Sequence, residues 1–205
     1  QAAPPLAAGL VFGLAAAVLA AHLVANAVTP YGFHRDEFLY VAMGRHLRLF
    51  RMDVPPFIAL AAEAVRPFGD SVFVLRLLPA VAGAALVVLA ALLGRAFGGG
   101  RYAQGLAGLV AAAVPLFLRA ASLFQPVVFD QLWWTAGFLA LAHLCRADEA
   151  ARTRWWLVLG AAAGLGLLTK LSVLFWGLGV FAGLVVTPHR RVLATRGPWL
   201  ALAVA

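Results

Sequence analysis

The 205-residue sequence is 64% hydrophobic and only 12% charged, with sixteen Lys and Arg against eight Asp and Glu, a formal net charge of +8. A soluble domain carries about 25% charge, so the chain reads as an integral membrane protein, in line with the mean hydropathy of +0.94; a large soluble core is the weaker alternative, because too few charges remain to cover its surface. The basic excess does not imply nucleic acid, which is excluded as a partner: the arginines cluster in short segments between apolar spans, where topology and lipid phosphate explain them.

The first span is expected from Pro5 to Val28. A signal peptide ending at "ANA" is the rival reading. Its apolar core would be about 7–15 residues after a basic stretch; this run is longer, and residues 1–4 contain no basic residue. Residues 30–70 then form the one long polar segment, opening with "YGFHRDEFLY". Two short helices lying on the membrane surface are predicted in it. In the first, Asp36 is placed to cap, and Phe38, Val41, Ala42 and Leu49 form an apolar stripe opposite Arg45, His46 and Arg48. The second begins at a cap-like Asp53 followed by prolines suited to a first turn, and ends at Pro67 and Gly69.

Further spans are predicted at Ser71–Phe97, Tyr102–Leu118, Val127–Leu144, Trp155–Leu168 and Leu171–Val186, with a last apolar stretch after "TPHRRVLATRGP". "GGGR" lacks the GK[ST] of a phosphate loop and reads as a turn. Gly160 with Gly164, and Gly179 with Gly183, have the spacing of close helix packing. The fold class is therefore all-α: a polytopic transmembrane helix bundle with short interfacial helices in its first outer loop. The stretch 1–205 is expected to be the N-terminal part of one longer transmembrane domain, its outer loop spanning 30–70.

Short loops set the orientation. Arg95, Arg101, Arg146, Arg152, Arg154, Arg190, Arg191 and Arg196 all fall on one side, and the short connections opposite hold only Arg119 and Lys170. The positive-inside rule makes the arginine side cytoplasmic and the 30–70 segment external, although that segment itself carries Arg35, Arg45, Arg48, Arg51 and Arg66.

With this topology Asp36, Glu37, Asp53, Arg76, Asp130 and Lys170 gather at the outer ends of spans or in the outer loop. Charges at membrane depth are costly and usually face a cavity or a partner. A plainer reading stands beside each: Asp36 and Asp53 as caps, Arg76 paired with Asp70 or Asp130, Lys170 snorkelling to the interface. Glu63 and Asp70 read as surface or cap residues, and Asp148 and Glu149 as loop charges without a motif. His34 and His46 lack metal-ligand spacing.

Five stretches in order, "RDE" (Arg35 to Glu37), "DVPPFIAL" (Asp53 to Leu60), "FVLRLLPAVAGA" (Phe73 to Ala84), "FDQLWW" (Phe129 to Trp134) and "GLGLLTK" (Gly164 to Lys170), resemble the membrane glycosyltransferases of the GT-C superfamily. The nearest likeness is to the bacterial protein O-mannosyltransferase-like group, which includes the lipid A aminoarabinose transferases. The resemblance implies transfer of a sugar from a polyprenyl-phosphate-linked donor to a lipid, glycan or protein acceptor, in the bacterial inner membrane with the site on the periplasmic side. It implies Asp36 as general base with Glu37 its neighbour, and Asp53, Arg76, Asp130 and Lys170 near the site. Family members differ in metal dependence, so a divalent metal ion stays open.

The chemistry asks for a base to take the acceptor's proton and cations to hold the leaving phosphate. Asp36 suits the first task; Arg45, Arg48, Arg76 and Lys170 suit the second. Two other classes fit the composition: a transporter or flippase of a lipid-linked or anionic substrate, which would carry its charges near the bilayer midplane, and a non-catalytic membrane scaffold.

Overall fold

The computed structural model describes residues 3–49 and 52–205. Arg51, one of the expected outer-loop cations, lies outside the described residues. Among them every regular element is helical. In chain order these are α1 (Ala8–Val28), α2 (Arg35–Arg45), α3 (Phe57–Val65), α4 (Val72–Ala96), α5 (Arg101–Ala113), α6 (Pro115–Ala121), α7 (Pro126–Leu144), α8 (Glu149–Thr169), α9 (Val173–Val186) and α10 (Gly197–Val204). Short 3₁₀ segments at Arg66–Phe68 and Pro188–Ala194 follow α3 and α9.

α4 is the central post. It packs on α1, α5 and α7, and α8 then packs on α7 and α10. Small residues set the spacing where these helices meet. Ala15, Val87 and Ala111 join α1, α4 and α5. Trp156 and Trp176 fill the space between α7, α8 and α9. At the outer end Ile58, Leu75, Phe124, Val128 and Phe129 form the core on which α2 and α3 rest. Gly44 lets those two helices touch: a Cβ there would lie 2.9 Å from the carbonyl oxygen of Ala59.

α1 and α4 are each long and apolar enough to cross a membrane. The expected span at 102–118 is broken. Val114 takes an extended conformation before Pro115, and α5 and α6 meet at a 61° bend. A proline disfavours helical geometry in the residue before it and supplies no N–H to continue the ladder. α9 is likewise followed by a 112° bend into its 3₁₀ segment, where a plain polar loop was expected. Counting each bent pair as one span gives up to four. The spans expected at 127–144 and 155–168 fold as α7 and α8 but fall short of that measure of length and apolarity. Asp130 and Gln131 dilute the first, and the second begins early, in a charged turn. Asp148 caps it, accepting from the Ala151 N–H at 2.9 Å, with Glu149 in the first turn. Asp148 thus has a capping role that its loop position alone did not suggest, and Glu149 stands beside it in the first turn.

The bundle has two ends. At one, Arg95 Nε donates to the Pro4 carbonyl at 2.7 Å, and the Arg146 guanidinium lies 5.7 Å from the Phe97 ring. That end also holds the glycine turn, in which Gly98 has φ +90°, a conformation open to glycine at little cost. The other end carries α2, α3 and the candidate site.

The two GxxxG pairs part company. Cβ atoms on Gly160 and Gly164 would run into the backbone of Ala201 and Ala205, the Cα of Ala201 at 2.8 Å and that of Ala205 at 2.9 Å. Gly179 and Gly183 have nothing within 4 Å among the described residues. Gly160→Leu is therefore expected to destabilise the chain by about 1–3 kcal/mol through overpacking, and Gly179→Leu to leave it unchanged. Thermal unfolding in detergent reads both. A Gly160→Leu variant melting with the wild type would show that the α8–α10 contact contributes little.

Candidate active site

The outer end is organised by the first turn of α2. A helix start leaves backbone N–H groups without partners, and here they are met reciprocally. His34 is the cap: its Nδ1 accepts from the Asp36 N–H at 3.3 Å, while Glu37 Oε2 accepts from the His34 N–H at 2.8 Å. An Nδ1 that accepts leaves Nε2 as the donor nitrogen of the neutral ring. Asp36 is thus not the cap that its position suggested; it sits in the turn with its carboxylate free to turn outward.

Glu37 faces the other way. It is fully buried, and each carboxylate oxygen takes two hydrogen bonds. Oε1 accepts from Arg76 Nε and from the Phe124 N–H, both at 2.9 Å. Oε2 accepts from Arg76 Nη2 at 2.8 Å and from His34. Arg76 Nη2 also donates to the Gly32 carbonyl at 3.1 Å. Burial pushes the Glu37 carboxyl up, but the Arg76 guanidinium and the two backbone N–H groups outweigh it and hold the carboxyl below the usual range. Arg76 therefore pairs with Glu37, not with the expected Asp70 or Asp130. Its charge, in the second turn of α4 and 5% exposed, needs a carboxylate beside it.

Asp36 is half-buried. Its Oδ2 accepts from Gln125 Nε2 at 2.9 Å and lies 3.6 Å from His34 Nδ1; its Oδ1 is 3.4 Å from Arg35 Nε. Tyr40, one turn on, has its phenol pushed up by burial and then by the Asp36 charge, so it remains protonated near that carboxylate. Gln125 precedes α7, and Asp130 lies in the next turn of the same helix. Both Asp130 oxygens receive the Ser172 hydroxyl, at 3.0 and 2.9 Å. Trp133 Nε1 donates to Thr169 Oγ1 at 3.0 Å. α7 thus carries Asp36 through Gln125, and the α8–α9 turn through Asp130 and Trp133. Along the helix axis the two acidic contacts are separated by only about 7 Å.

The remaining expected residues are more scattered. Lys170 is exposed in the α8–α9 turn, two residues from Ser172. Arg45 pairs with Asp70 at 3.3 Å, and Glu63 with Arg66 at 2.6 Å. Arg48 and Asp53 are exposed. Asp53 does not cap α3; Pro56 occupies that position. The predicted stripe on α2 is also rotated. Glu37 and Gly44 are its buried residues, Phe38 is exposed, and Leu49 lies beyond the helix end. A tertiary ion pair fixed which side of α2 faces inward.

The sequence reading missed Gln125 and Ser172, neutral partners that only the fold brings to Asp36 and Asp130. It also missed His22 and Asn26, buried polar residues four apart in α1; their helical spacing within an otherwise apolar span was the available signal. Among the described residues no three His, Cys, Asp or Glu side chains gather as metal ligands do.

Residues 53–205 match the family model described as dolichyl-phosphate-mannose-protein mannosyltransferase. Asp36 and Glu37 precede the matched stretch. No curated protein and no solved structure matches the chain.

Proposed function

Because the chain belongs to the dolichyl-phosphate-mannose-protein mannosyltransferase family, membrane glycosyltransferases of the GT-C type, we propose that it moves a sugar from a polyprenyl-phosphate-linked donor to a lipid, glycan or protein hydroxyl at the end of the bundle that carries α2. We assign Asp36 as the general base. The observation that supports this most is the contrast between adjacent carboxylates: Glu37 has no acceptor capacity left, whereas Asp36 is half-buried, held by Gln125, and still open.

In the proposed reaction Asp36 takes the proton of the acceptor hydroxyl. The acceptor oxygen bonds to the anomeric carbon as the bond from that carbon to the phosphate oxygen breaks. The electron pair leaves with the polyprenyl phosphate. Glu37 and Arg76 act as positioning residues, fixing the α2 turn against α4 and the loop before α7. Arg45 is engaged by Asp70, so the exposed Lys170 and Arg48 are the better placed of the four expected phosphate cations. Asp130 orders the α8–α9 turn that carries Lys170. Asp53 is assigned to the outer rim. We read this end as the periplasmic face of a bacterial inner membrane, an orientation that the arginine-rich loops at the other end support.

The test is a reconstitution. The full chain in proteoliposomes is given polyprenyl-phosphate-linked mannose, and in a second arm nucleotide-linked mannose, with membrane lipid and peptide acceptors. Transfer is expected from the lipid-linked donor only. Movement of the intact donor across the bilayer without transfer would instead support a flippase.

A further inference from the structure

The group nearest to the Asp36 carboxylate on its own turn is itself a base. His34 Nδ1 lies 3.6 Å from Asp36 Oδ2, and among the described residues Asp36 is the only carboxylate within 4 Å of that ring's nitrogens. The same Nδ1 accepts from the Asp36 N–H at 3.3 Å. An unprotonated ring nitrogen accepts and a protonated one donates. Nδ1 can therefore cap the helix or donate to the carboxylate, but not both, and the turn has two exclusive states.

The residue type at this position points the same way. Ser, Thr, Asp and Asn are the side chains favoured at a helix N-cap, and each would hold the Asp36 N–H throughout the neutral range. The chain instead places there the side chain whose ordinary charge change falls between pH 5 and 8, two residues before the assigned base. Departures from local preference gather at functional positions. The ring is also open to protons. Its side chain is 37% exposed, and it lines a cavity of about 420 Å³ between the end of α1 and the loop leading into α2. Tyr31, Arg76 from α4 and Arg119 from α6 line the same cavity. Glu37 pairs with Arg76 and accepts from the His34 N–H, and Arg35 Nε lies 3.4 Å from Asp36 Oδ1. Asn26 of α1 and Gln125 before α7 are uncharged. Asp36 is thus the group that a proton on Nδ1 meets first.

We propose that His34 is a positioning residue for Asp36, that transfer requires its neutral ring, and that a proton on Nδ1 switches the base off. In the neutral state Nδ1 holds the Asp36 N–H, and Oδ2 receives Gln125 Nε2 at 2.9 Å with capacity left for the acceptor's proton. In the charged state the Nδ1–H turns to Asp36 Oδ2, and the Asp36 N–H loses its acceptor. A cation against a carboxylate lowers its affinity for a proton. Both changes oppose removal of the acceptor proton, and both reverse when the ring returns its proton to solvent. The effect on transfer rests on the reading of Asp36 as the base; the coupling between ring and cap does not.

The test measures single-turnover transfer between pH 7.5 and 5 in the proteoliposomes described above, for the wild type, His34→Asn and His34→Ala. Wild-type transfer should fall by roughly tenfold or more over this range. His34→Asn caps without titrating and should fall by less than about threefold. His34→Ala leaves the Asp36 N–H without an acceptor and should be slower than the wild type at pH 7.5, a loss that Asn in its place should largely restore. A second readout needs no turnover. In the full chain labelled with ¹⁵N-aspartate in detergent micelles, the Asp36 amide resonance is assigned by its loss in Asp36→Asn. It should move between pH 7.5 and 5 in the wild type and stay in place in His34→Asn. An acid limb in His34→Asn that superimposes on the wild type, or a wild-type Asp36 amide that does not move, would overturn the proposal. A moving amide together with full transfer by Asp36→Asn would retire the base and keep the proton-coupled cap. A stationary amide together with slow transfer by Asp36→Asn would do the reverse.

Discussion

Arg76→Met is expected to cost about 3–5 kcal/mol of stability, the largest effect of any single substitution at the outer end. The reason is what it leaves behind. Glu37 is fully buried and takes two of its four hydrogen bonds from Arg76. Without the guanidinium an anion remains among Phe124, Leu75 and the α2 turn with only two backbone N–H groups to hold it. Adding Glu37→Gln removes that buried charge, so the double variant should recover part of the loss. The dependence on pH separates this account from a simple loss of packing. In the wild type the Glu37 carboxyl is held below its ordinary value. A depressed carboxyl contributes stability that is fully present above the unfolded-state value, near 4.3, and is lost as pH falls through the lower folded-state value. In Arg76→Met burial prevails and raises that carboxyl, so its penalty is relieved by protonation. Acidification from neutral pH toward about pH 5 should therefore raise the melting temperature of Arg76→Met, while the wild type gains nothing. Parallel melting profiles across this range would refute the ion-pair account.

Asp36→Asn is expected to lower the turnover of sugar transfer by about 10²–10⁴-fold, the usual contribution of a general base. Asparagine keeps an oxygen able to accept from Gln125 Nε2, so unfolding should match the wild type. Gln125→Ala should cost less in rate than Asp36→Asn, because it loosens the carboxylate without removing it. Single-turnover transfer with saturating donor measures both. Full activity in Asp36→Asn, with intact folding, would move the base elsewhere and leave Asp36 an ordinary first-turn residue.

The helical class, the order of the helices and most of their ends were legible in the sequence, because apolar runs of span length and proline or glycine breaks are local properties. α1 and α4 follow their predicted bounds within a few residues. The break at Pro115 was legible too, had the extended bias of the residue before a proline been applied to the 102–118 run. Gly160 and Gly164 show the limit of such patterns. They share their spacing with Gly179 and Gly183, yet only the first pair meets another helix among the described residues. Spacing states that a helix can be approached closely, not that a neighbour arrives.

The charged residues divide the same way. Their collection at one end of the bundle follows from span order alone. Their pairing does not: Glu37 meets Arg76 across 39 residues, Asp36 meets Gln125 across 89, and Asp130 meets Ser172 across 42. By itself the sequence determined that two carboxylates, Asp36 and Glu37, stand side by side at the start of a short helix, and that successive helical residues point about 100° apart, so both could not face the same way. Only the tertiary structure decided which one turned inward. Desolvating a carboxylate requires a cation and backbone donors already in place, and α4 and the loop before α7 present Arg76 and the Phe124 N–H to Glu37, leaving Asp36 at the surface of the site.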